Sequence, residues 1–166
     1  ATGRTGCNQS LGDPEFGLDV TRFKTLELRI TMFIQHQSVP LCGIVGSECP
    51  LMIRVIYVTE DGVTREWFHG VYAERNDSYP LLCTSCFQPH VLIQKEAWYI
   101  YESNNLFDLL QQPGSSPEDD PIGLQAIKNI RFYASGHEYD VFLTDVSLLA
   151  SQSPVNSNVA SSTPDG

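Results

Sequence analysis

The sequence of 166 residues is poor in lysine and has no long hydrophobic run. Only three lysines occur, and 20 acidic against 10 basic residues give a net charge of −10. This balance argues against binding to a nucleic-acid backbone, which requires clustered Lys and Arg side chains. No segment approaches the roughly 18 consecutive apolar residues that indicate a transmembrane helix. We therefore predict neither a nucleic-acid partner nor a membrane span.

Catalytic signatures are also missing. There is no G-x-S-x-G, no H-E-x-x-H and no glycine-rich phosphate loop before a helix. The four histidines lie in four separate segments, so spacing nominates no nucleophile–base pair. The acidic run at 118–120 lacks the D-x-[DN]-x-[DN]-G pattern and does not locate a calcium ion. We predict that the chain is not an enzyme, and we assign it no cofactor and no metal.

What the sequence does contain is alternation of apolar and polar residues. In the segment 25–36, TLELRITMFIQH, every second residue is apolar, and a period of two indicates a half-buried strand. The apolar face consists of Leu26, Leu28, Ile30, Met32 and Ile34. Phe33 interrupts the opposite, otherwise polar face, which suggests that this face also makes contacts.

Turn signals divide the rest of the chain into about eight strands, with no convincing amphipathic helix. The segment LMIRVIYVT is almost continuously apolar, which favours a central strand. Asp61-Gly62 predicts a tight hairpin, because this pair accepts positive φ, and Gly70 in the returning strand suggests a bulge. The pattern predicts an all-β fold, an antiparallel two-sheet β-sandwich with jelly-roll topology.

One domain fits this length, and both ends differ from it in composition. We predict an irregular N-terminal arm at 1–18, a β-sandwich domain at 19–150, and a Ser/Asn/Pro-rich tail at 151–166. Within the domain, NLFDLL is either a strand or one helical turn, and 122–135 is a strand pair or one bent strand. An arm that adds a strand to a neighbouring copy would produce a homopolymer.

Five cysteines indicate an oxidising compartment. Cys42 and Cys49 share one predicted loop, Cys83 and Cys86 share another, and Cys7 stands alone near the N-terminus. Four loop cysteines in a β-rich chain are typical of disulfides. Three pairings are possible, and we favour Cys42–Cys49 with Cys83–Cys86. Cys7 is then a free thiol or forms a disulfide with another chain.

A zinc site is the alternative use of these cysteines. Cys83-x2-Cys86-x3-His90 has zinc-like spacing, and Cys42 or Cys49 could complete a tetrahedron. The Cys42-x6-Cys49 spacing is wider than a usual zinc knuckle, so disulfides are favoured. Two N-x-S sequons, at Asn8 and Asn76, fall in predicted loops and are candidate glycosylation sites if the source adds such glycans.

Aromatic side chains carry most of the functional expectation. Adjacent residues of a strand point to opposite faces, so one of Trp67 and Phe68, and one of Trp98 and Tyr99, should be in the core. The other is free to line a platform that stacks on a sugar. In the alternative interpretation, all of these aromatic side chains have only a structural role, in the core or in cross-strand pairs. The predicted ligand-binding residues are Trp67, His69, Tyr72 and Trp98.

Several segments together resemble the galactose-binding-domain-like β-sandwich, a jelly-roll module of bacterial extracellular proteins. They are LELRITMFIQHQSVPLCGIVGSECPLMIRVIYVTEDG, REWFHGVY, WYIYESNNLFDLL and IRFYASGHEYDVFLTDVSLL. The resemblance covers about 19–150. It lies in the order and composition of the predicted strands and turns, and not in a catalytic signature. It implies a non-catalytic module that binds carbohydrate or makes surface contacts. A structural calcium is common in such modules, but the sequence does not locate one.

Two functions follow for a secreted or cell-surface module. The first is recognition of a glycan by an aromatic platform. The second is a structural subunit whose partners are other copies of itself, assembled into a filament or surface layer. A solvent-exposed Trp would favour the first function, whereas arms that pack on neighbouring copies would favour the second.

Overall fold

A computed structural model describes residues 4–42, 49–76, 89–114 and 119–152, and they form two β-sheets. The strands and the helix are β1 (Arg4–Ser10), β2 (Leu18–Asp19), β3 (Thr25–Gln37), β4 (Leu51–Thr59), β5 (Thr64–Tyr72), β6 (Val91–Leu92), β7 (Trp98–Glu102), α1 (Leu106–Leu110), β8 (Leu124–Ser135) and β9 (Tyr139–Ser151). This confirms the prediction of an all-β, two-sheet fold. Within the described residues, no helix is long and apolar enough to cross a membrane.

The two sheets differ in size. The larger sheet has the order β1-β8-β4-β5-β6, with β2 also paired to β8, and the smaller has the order β7-β3-β9. All pairs are antiparallel except β5 with β6, which is parallel, so the prediction of purely antiparallel sheets is wrong at that pair. The chain passes from the larger sheet to the smaller one at β3, and does so again between β6 and β7 and between β8 and β9. Jelly-roll connectivity stays a prediction.

The core lies between the two sheets, where the apolar faces of β3 and β4 meet. The predicted face of β3 is confirmed, since each of its five side chains is almost fully buried. The central position of β4 is also confirmed, because it lies between β8 and β5. Its inward side chains join those of β3 in one cluster: Leu51, Ile53, Val55 and Tyr57. Burial of such apolar surface is the main stabilising term of the fold.

The N-terminal segment is not an irregular arm. Residues 4–10 form β1, which pairs with β8 in register from Arg4 opposite Ser135 to Ser10 opposite Asn129. Its Gly, Asn and Ser content is atypical of a strand, but the edge of β8 supplies hydrogen-bond partners along its whole length. At the other end, β9 extends to Ser151, one residue beyond the predicted domain.

Local sequence signals place the remaining turns. The hairpin between β4 and β5 is confirmed: Gly62 has φ +76°, and the Asp61 carboxylate accepts the Val63 N–H at 3.1 Å. NLFDLL resolves to the short helix α1, because the side chain of Asn105 caps its first turn. Residues 124–135 form the single strand β8, whose pairing with β4 shifts register twice.

Gly70 is in regular strand pairing and not at a bulge, since it lies directly opposite Met52. The reason for glycine is the predicted disulfide Cys42–Cys49, which is confirmed and packs on this position. A Cβ atom at residue 70 would lie 2.7 Å from the Cys49 Sγ and 2.8 Å from the Cys42 Sγ. Both cysteines are buried, so the disulfide covers the outward face of β5.

Removing this disulfide should destabilise the protein. For a loop closed by residues seven apart, chain entropy gives a loss of about 2–3 kcal/mol in the free energy of unfolding. We expect this loss in a C42A/C49A variant, measured by chemical denaturation without reductant. The variant also removes the two sulfur atoms nearest to residue 70, so Gly70→Ala should cost less in it than in the parent. Equal costs in both backgrounds would contradict this packing.

Candidate functional site

The outward face of the smaller sheet carries most of the exposed apolar surface. Eight large hydrophobic side chains are exposed among the described residues, and five of them lie on β7 or β9. The five are Trp98, Ile100, Phe142, Val146 and Leu149. Contiguous exposed apolar surface on a soluble protein typically marks a binding site, whereas scattered single residues do not.

Three aromatic rings form a row across all three strands of this sheet. Phe33 on the central strand β3 lies opposite Trp98 on β7 and opposite Phe142 on β9. The ring centroids of Phe33 and Trp98 are 5.3 Å apart, and those of Phe33 and Phe142 are 6.1 Å apart. We call these three residues the aromatic strip. Cross-strand pairing at these distances holds the rings in a fixed arrangement.

The strip is open to solvent. Trp98 is 59% exposed and Phe142 is 51% exposed, while Phe33 between them is partly buried. The rings are tilted by 48° and 67° to one another, so they present a corrugated surface and not one flat plane. A ligand of two or more linked rings would therefore contact different aromatic faces along the row.

Polar groups lie beside the strip on the same face. The next row places Thr31 opposite Ile100 and Thr144, and the row after it places Arg29 opposite Glu102. Arg29 Nε and Glu102 Oε1 form an ion pair at 3.1 Å, with both side chains about half exposed. Their remaining hydrogen-bonding capacity is available to hydroxyl groups of a ligand.

Trp67 and His69, two of the predicted ligand-binding residues, point into the core. Both are almost fully buried, and their rings stack at a centroid distance of 5.4 Å and an angle of 3°. Tyr101 packs on the other side of His69, with ring centroids 5.0 Å apart. Trp67 and His69 therefore do not share a surface platform with Trp98, because they occupy the inward positions of β5.

His69 is a core residue with an unusual environment. Neither imidazole nitrogen has a hydrogen-bond partner among the residues that the structure describes. Burial, with a smaller contribution from nearby His90, lowers the pKa of His69 to about 4. The ring is therefore neutral at neutral pH. It lies at the floor of a pocket of about 320 Å³ that Tyr99 and Tyr101 also line.

Tyr72 also lies away from the strip. It is buried on the outward side of the larger sheet, in a small cluster with the disulfide and with Met52 and Tyr133. Of the four predicted ligand-binding residues, only Trp98 is at the surface. The structure thus separates residues that the sequence placed on one platform, because they belong to opposite faces of the sandwich.

Phe142 is the strip residue that the sequence analysis missed. Its signal was present: Tyr139, Val141 and Leu143 alternate along β9, which leaves Phe142 on the polar side together with Thr144. Phe33 on β3 has the same signature. An aromatic residue in the polar register of a strand was therefore the informative pattern, more so than a cluster of aromatic residues in sequence.

Three of the residues considered for zinc, Cys42, Cys49 and His90, come close together, while Cys83 and Cys86 lie outside the described residues. The Sγ atoms of Cys42 and Cys49 and a ring nitrogen of His90 lie within 4.8 Å of one another. The two sulfur atoms are bonded to each other, however, and His90 Nδ1 accepts the Gly70 N–H at 2.8 Å. In this oxidised form neither sulfur is a thiolate ligand, so the set does not bind zinc.

The other candidate residues are dispersed. Cys7 is a free, exposed thiol on β1. The sequence predicted a loop at Asn8, but this residue lies in strand β1. Asn76 is exposed in a loop after β5, as predicted. Cys83 and Cys86 lie outside the described residues.

Comparisons with known proteins found no family model, no curated protein sequence and no solved structure that matches this chain. The described residues form an all-β, two-sheet sandwich with an exposed aromatic strip.

Proposed function

We propose that this chain is a non-catalytic carbohydrate-binding module of a secreted or cell-surface protein. The observation that supports the proposal most is the aromatic strip, three rings aligned across the smaller sheet with Trp98 open to solvent. The resemblance to galactose-binding-domain-like modules points in the same direction.

Carbohydrate fits the strip because of its shape and chemistry. The C–H face of a pyranose ring stacks on an aromatic face, and tryptophan offers the largest such surface. The neighbouring Thr31, Thr144, Arg29 and Glu102 provide donors and acceptors for sugar hydroxyl groups. Because the rings cross three strands, the strip suits an oligosaccharide better than a single sugar.

The disulfide supports the proposed location. Cys42 and Cys49 form a buried disulfide bond, and structural disulfides persist in oxidising compartments. An acidic surface with few lysines is compatible with an extracellular protein. Export by the source organism is a direct test of this location.

Trp98→Ala should weaken glycan binding by about 10- to 100-fold, as truncation of a large aromatic anchor typically does. Phe142→Ala should weaken it less, because the phenyl ring offers a smaller stacking surface than the indole. The parent protein is first screened on a glycan array, and the Kd of the best glycan is then measured for each variant by calorimetry.

Phe16→Ala is the matched control, since Phe16 is also an aromatic residue, is 68% exposed and lies outside the smaller sheet. Its Kd should equal that of the parent. The proposal fails if the parent binds no glycan, or if Trp98→Ala binds as tightly as Phe16→Ala does.

Self-association through the same face is the second candidate function. It is favoured by the exposed Ile100 in the row next to the strip. It is also favoured by the edges of the smaller sheet, where β7 and β9 each pair only with β3 among the described residues. Sedimentation at increasing protein concentration, without sugar, distinguishes the two. A monomer at high concentration would contradict assembly, while a polymer that Trp98→Ala dissociates would support it.

A further inference from the structure

A cleft on the outward face of the larger sheet is chemically unlike the aromatic strip. It has a volume of about 680 Å³, and its floor is formed by β1, β8 and β4, with the turn after β1 as a wall. One row of side chains on this face crosses four adjacent strands. It runs Asn8, Arg131, Arg54 and Phe68, each directly opposite the next.

Positive charge is concentrated in this cleft. Arg54 and Arg131 are cross-strand partners, and Lys128 lies nearby on β8. Like charges placed directly opposite each other destabilise a sheet. The protein has only 10 basic residues and a net charge of −10, so three basic side chains in one cleft are a marked local excess.

Acidic residues compensate only part of this charge. Arg54 forms an ion pair with Glu66 on β5. The Asp13 carboxylate in the wall of the cleft accepts the backbone N–H groups of Glu15 and Phe16 at 2.7 and 3.0 Å, and its charge partly offsets that of Lys128. Among the described residues, Arg131 and Lys128 form no ion pair. An anion in the cleft would relieve the repulsion between the two arginines.

Two buried polar atoms in the same cleft lack partners. Arg54 Nε is a donor and Asn129 Oδ1 is an acceptor, and neither makes a hydrogen bond in the structure. Both residues line the cleft, together with Asn8 and Ser10. Buried polar atoms without partners are costly in a folded protein, and both lie beneath the floor of the cleft. The exposed side chains of Asn8 and Ser10 in the same cleft offer donors and acceptors to a ligand that carries hydroxyl groups as well as a negative charge.

We propose that this cleft binds an acidic saccharide, a glycan that bears carboxylate or sulfate groups. Its anionic group pairs with the guanidinium of Arg131, which presents a planar fork of donors suited to carboxylate and sulfate oxygens. Its hydroxyl groups hydrogen-bond to the exposed side chains of Asn8 and Ser10, which line the same cleft. The site lies on the opposite sheet from the aromatic strip and is independent of it.

Titrations with three kinds of glycan test the proposal. We expect binding of uronate oligosaccharides or sulfated oligosaccharides, and no binding of a neutral dextran oligosaccharide at this site. The affinity should fall as ionic strength rises, since the anionic group contributes directly. Comparing uronates with sulfated glycans identifies the preferred anionic group.

Arg131→Ala should reduce the affinity for the preferred acidic glycan by about tenfold or more. Arg131→Lys keeps the charge but loses the planar fork, so it should recover only part of the binding. The matched control is Arg22→Ala, which removes the same charge from an exposed position outside the cleft. Circular dichroism shows that each variant is folded.

Four results would overturn the proposal. They are the absence of binding to any acidic glycan, equally tight binding of the neutral and the acidic glycan by the Trp98→Ala variant, equal loss in Arg22→Ala and Arg131→Ala, and equally tight binding of duplex DNA. The last would show attraction to any polyanion. Trp98→Ala should bind the acidic glycan like the parent. If it abolishes that binding while Arg131→Ala does not, the ligand occupies the aromatic strip instead.

Discussion

Trp67→Ala should reduce the free energy of unfolding by about 3–5 kcal/mol, the usual cost of truncating a fully buried Trp or Phe to alanine. Trp67 has no exposed surface, belongs to the main hydrophobic cluster and stacks on His69. Its removal would leave a large cavity between the two sheets, which the paired strands on either side cannot close. Equilibrium denaturation followed by circular dichroism measures the effect.

Trp98→Ala is the control within the same protein, because it removes the only other tryptophan from an exposed position. It should change stability by no more than about 0.5 kcal/mol, as expected for a surface substitution. The two variants thus separate structural and functional aromatic residues. A Trp67→Ala protein as stable as the Trp98→Ala protein would contradict the placement of Trp67 in the core.

Trp67→Phe refines this prediction. The indole Nε1 of Trp67 is buried and has no hydrogen-bond partner, so phenylalanine removes an unsatisfied donor while keeping most of the packing. Its cost should therefore be much smaller than that of alanine. A similar loss in both variants would mean that the indole N–H has a partner in solution.

Strand periodicity in the sequence was sufficient to predict much of the fold. The alternation in β3 identified all five of its core side chains, because a one-residue shift would have exposed every one of them. The hairpin at Asp61-Gly62 followed from turn chemistry alone. The strand β1 was not predictable in the same way. Its residues have low strand propensity, and only the unpaired edge of β8, a non-local partner, orders them.

The candidate site was harder to predict because it depends on which strands are neighbours. Trp67 and Trp98 look equivalent in sequence, yet one points between the sheets and the other to solvent. Phe33 and Phe142 are 109 positions apart and meet only because β3 lies beside β9. The basic cleft depends on the same kind of information, since Arg54 and Arg131 become partners through the β4–β8 pairing.

Acidification should destabilise the protein between pH 6.5 and about 4. Burial lowers the pKa of His69 to about 4, and burial also lowers the pKa of neighbouring His90. The unfolded chain therefore binds protons in this range before the folded one does, so stability falls as pH decreases. At roughly 1.4 kcal/mol per pKa unit, His69 alone accounts for a loss on the order of 3 kcal/mol.

Other titrating groups can be separated from this effect by their pH range. Hydrogen bonds lower the pKa values of Asp13, Asp19 and Asp61. Their contribution to the free energy of unfolding is therefore lost mainly below about pH 5. The decisive interval is thus pH 6.5 to 5, where the histidines titrate in the unfolded chain and the aspartates remain ionised. Urea unfolding at several pH values across this interval gives the slope.

His69→Phe should flatten that slope, because it keeps the stack on Trp67 and removes the titrating ring together with its two unpaired nitrogen atoms. The exposed His137→Phe is the matched control and should keep the slope of the parent. His90 contributes a residual slope in the His69→Phe variant, since burial lowers its pKa in the folded protein as well. Parallel curves for the parent and His69→Phe would show that His69 is already protonated, or solvated, in the native protein. Water would then have to reach the imidazole through the pocket that His69 lines with Tyr99 and Tyr101.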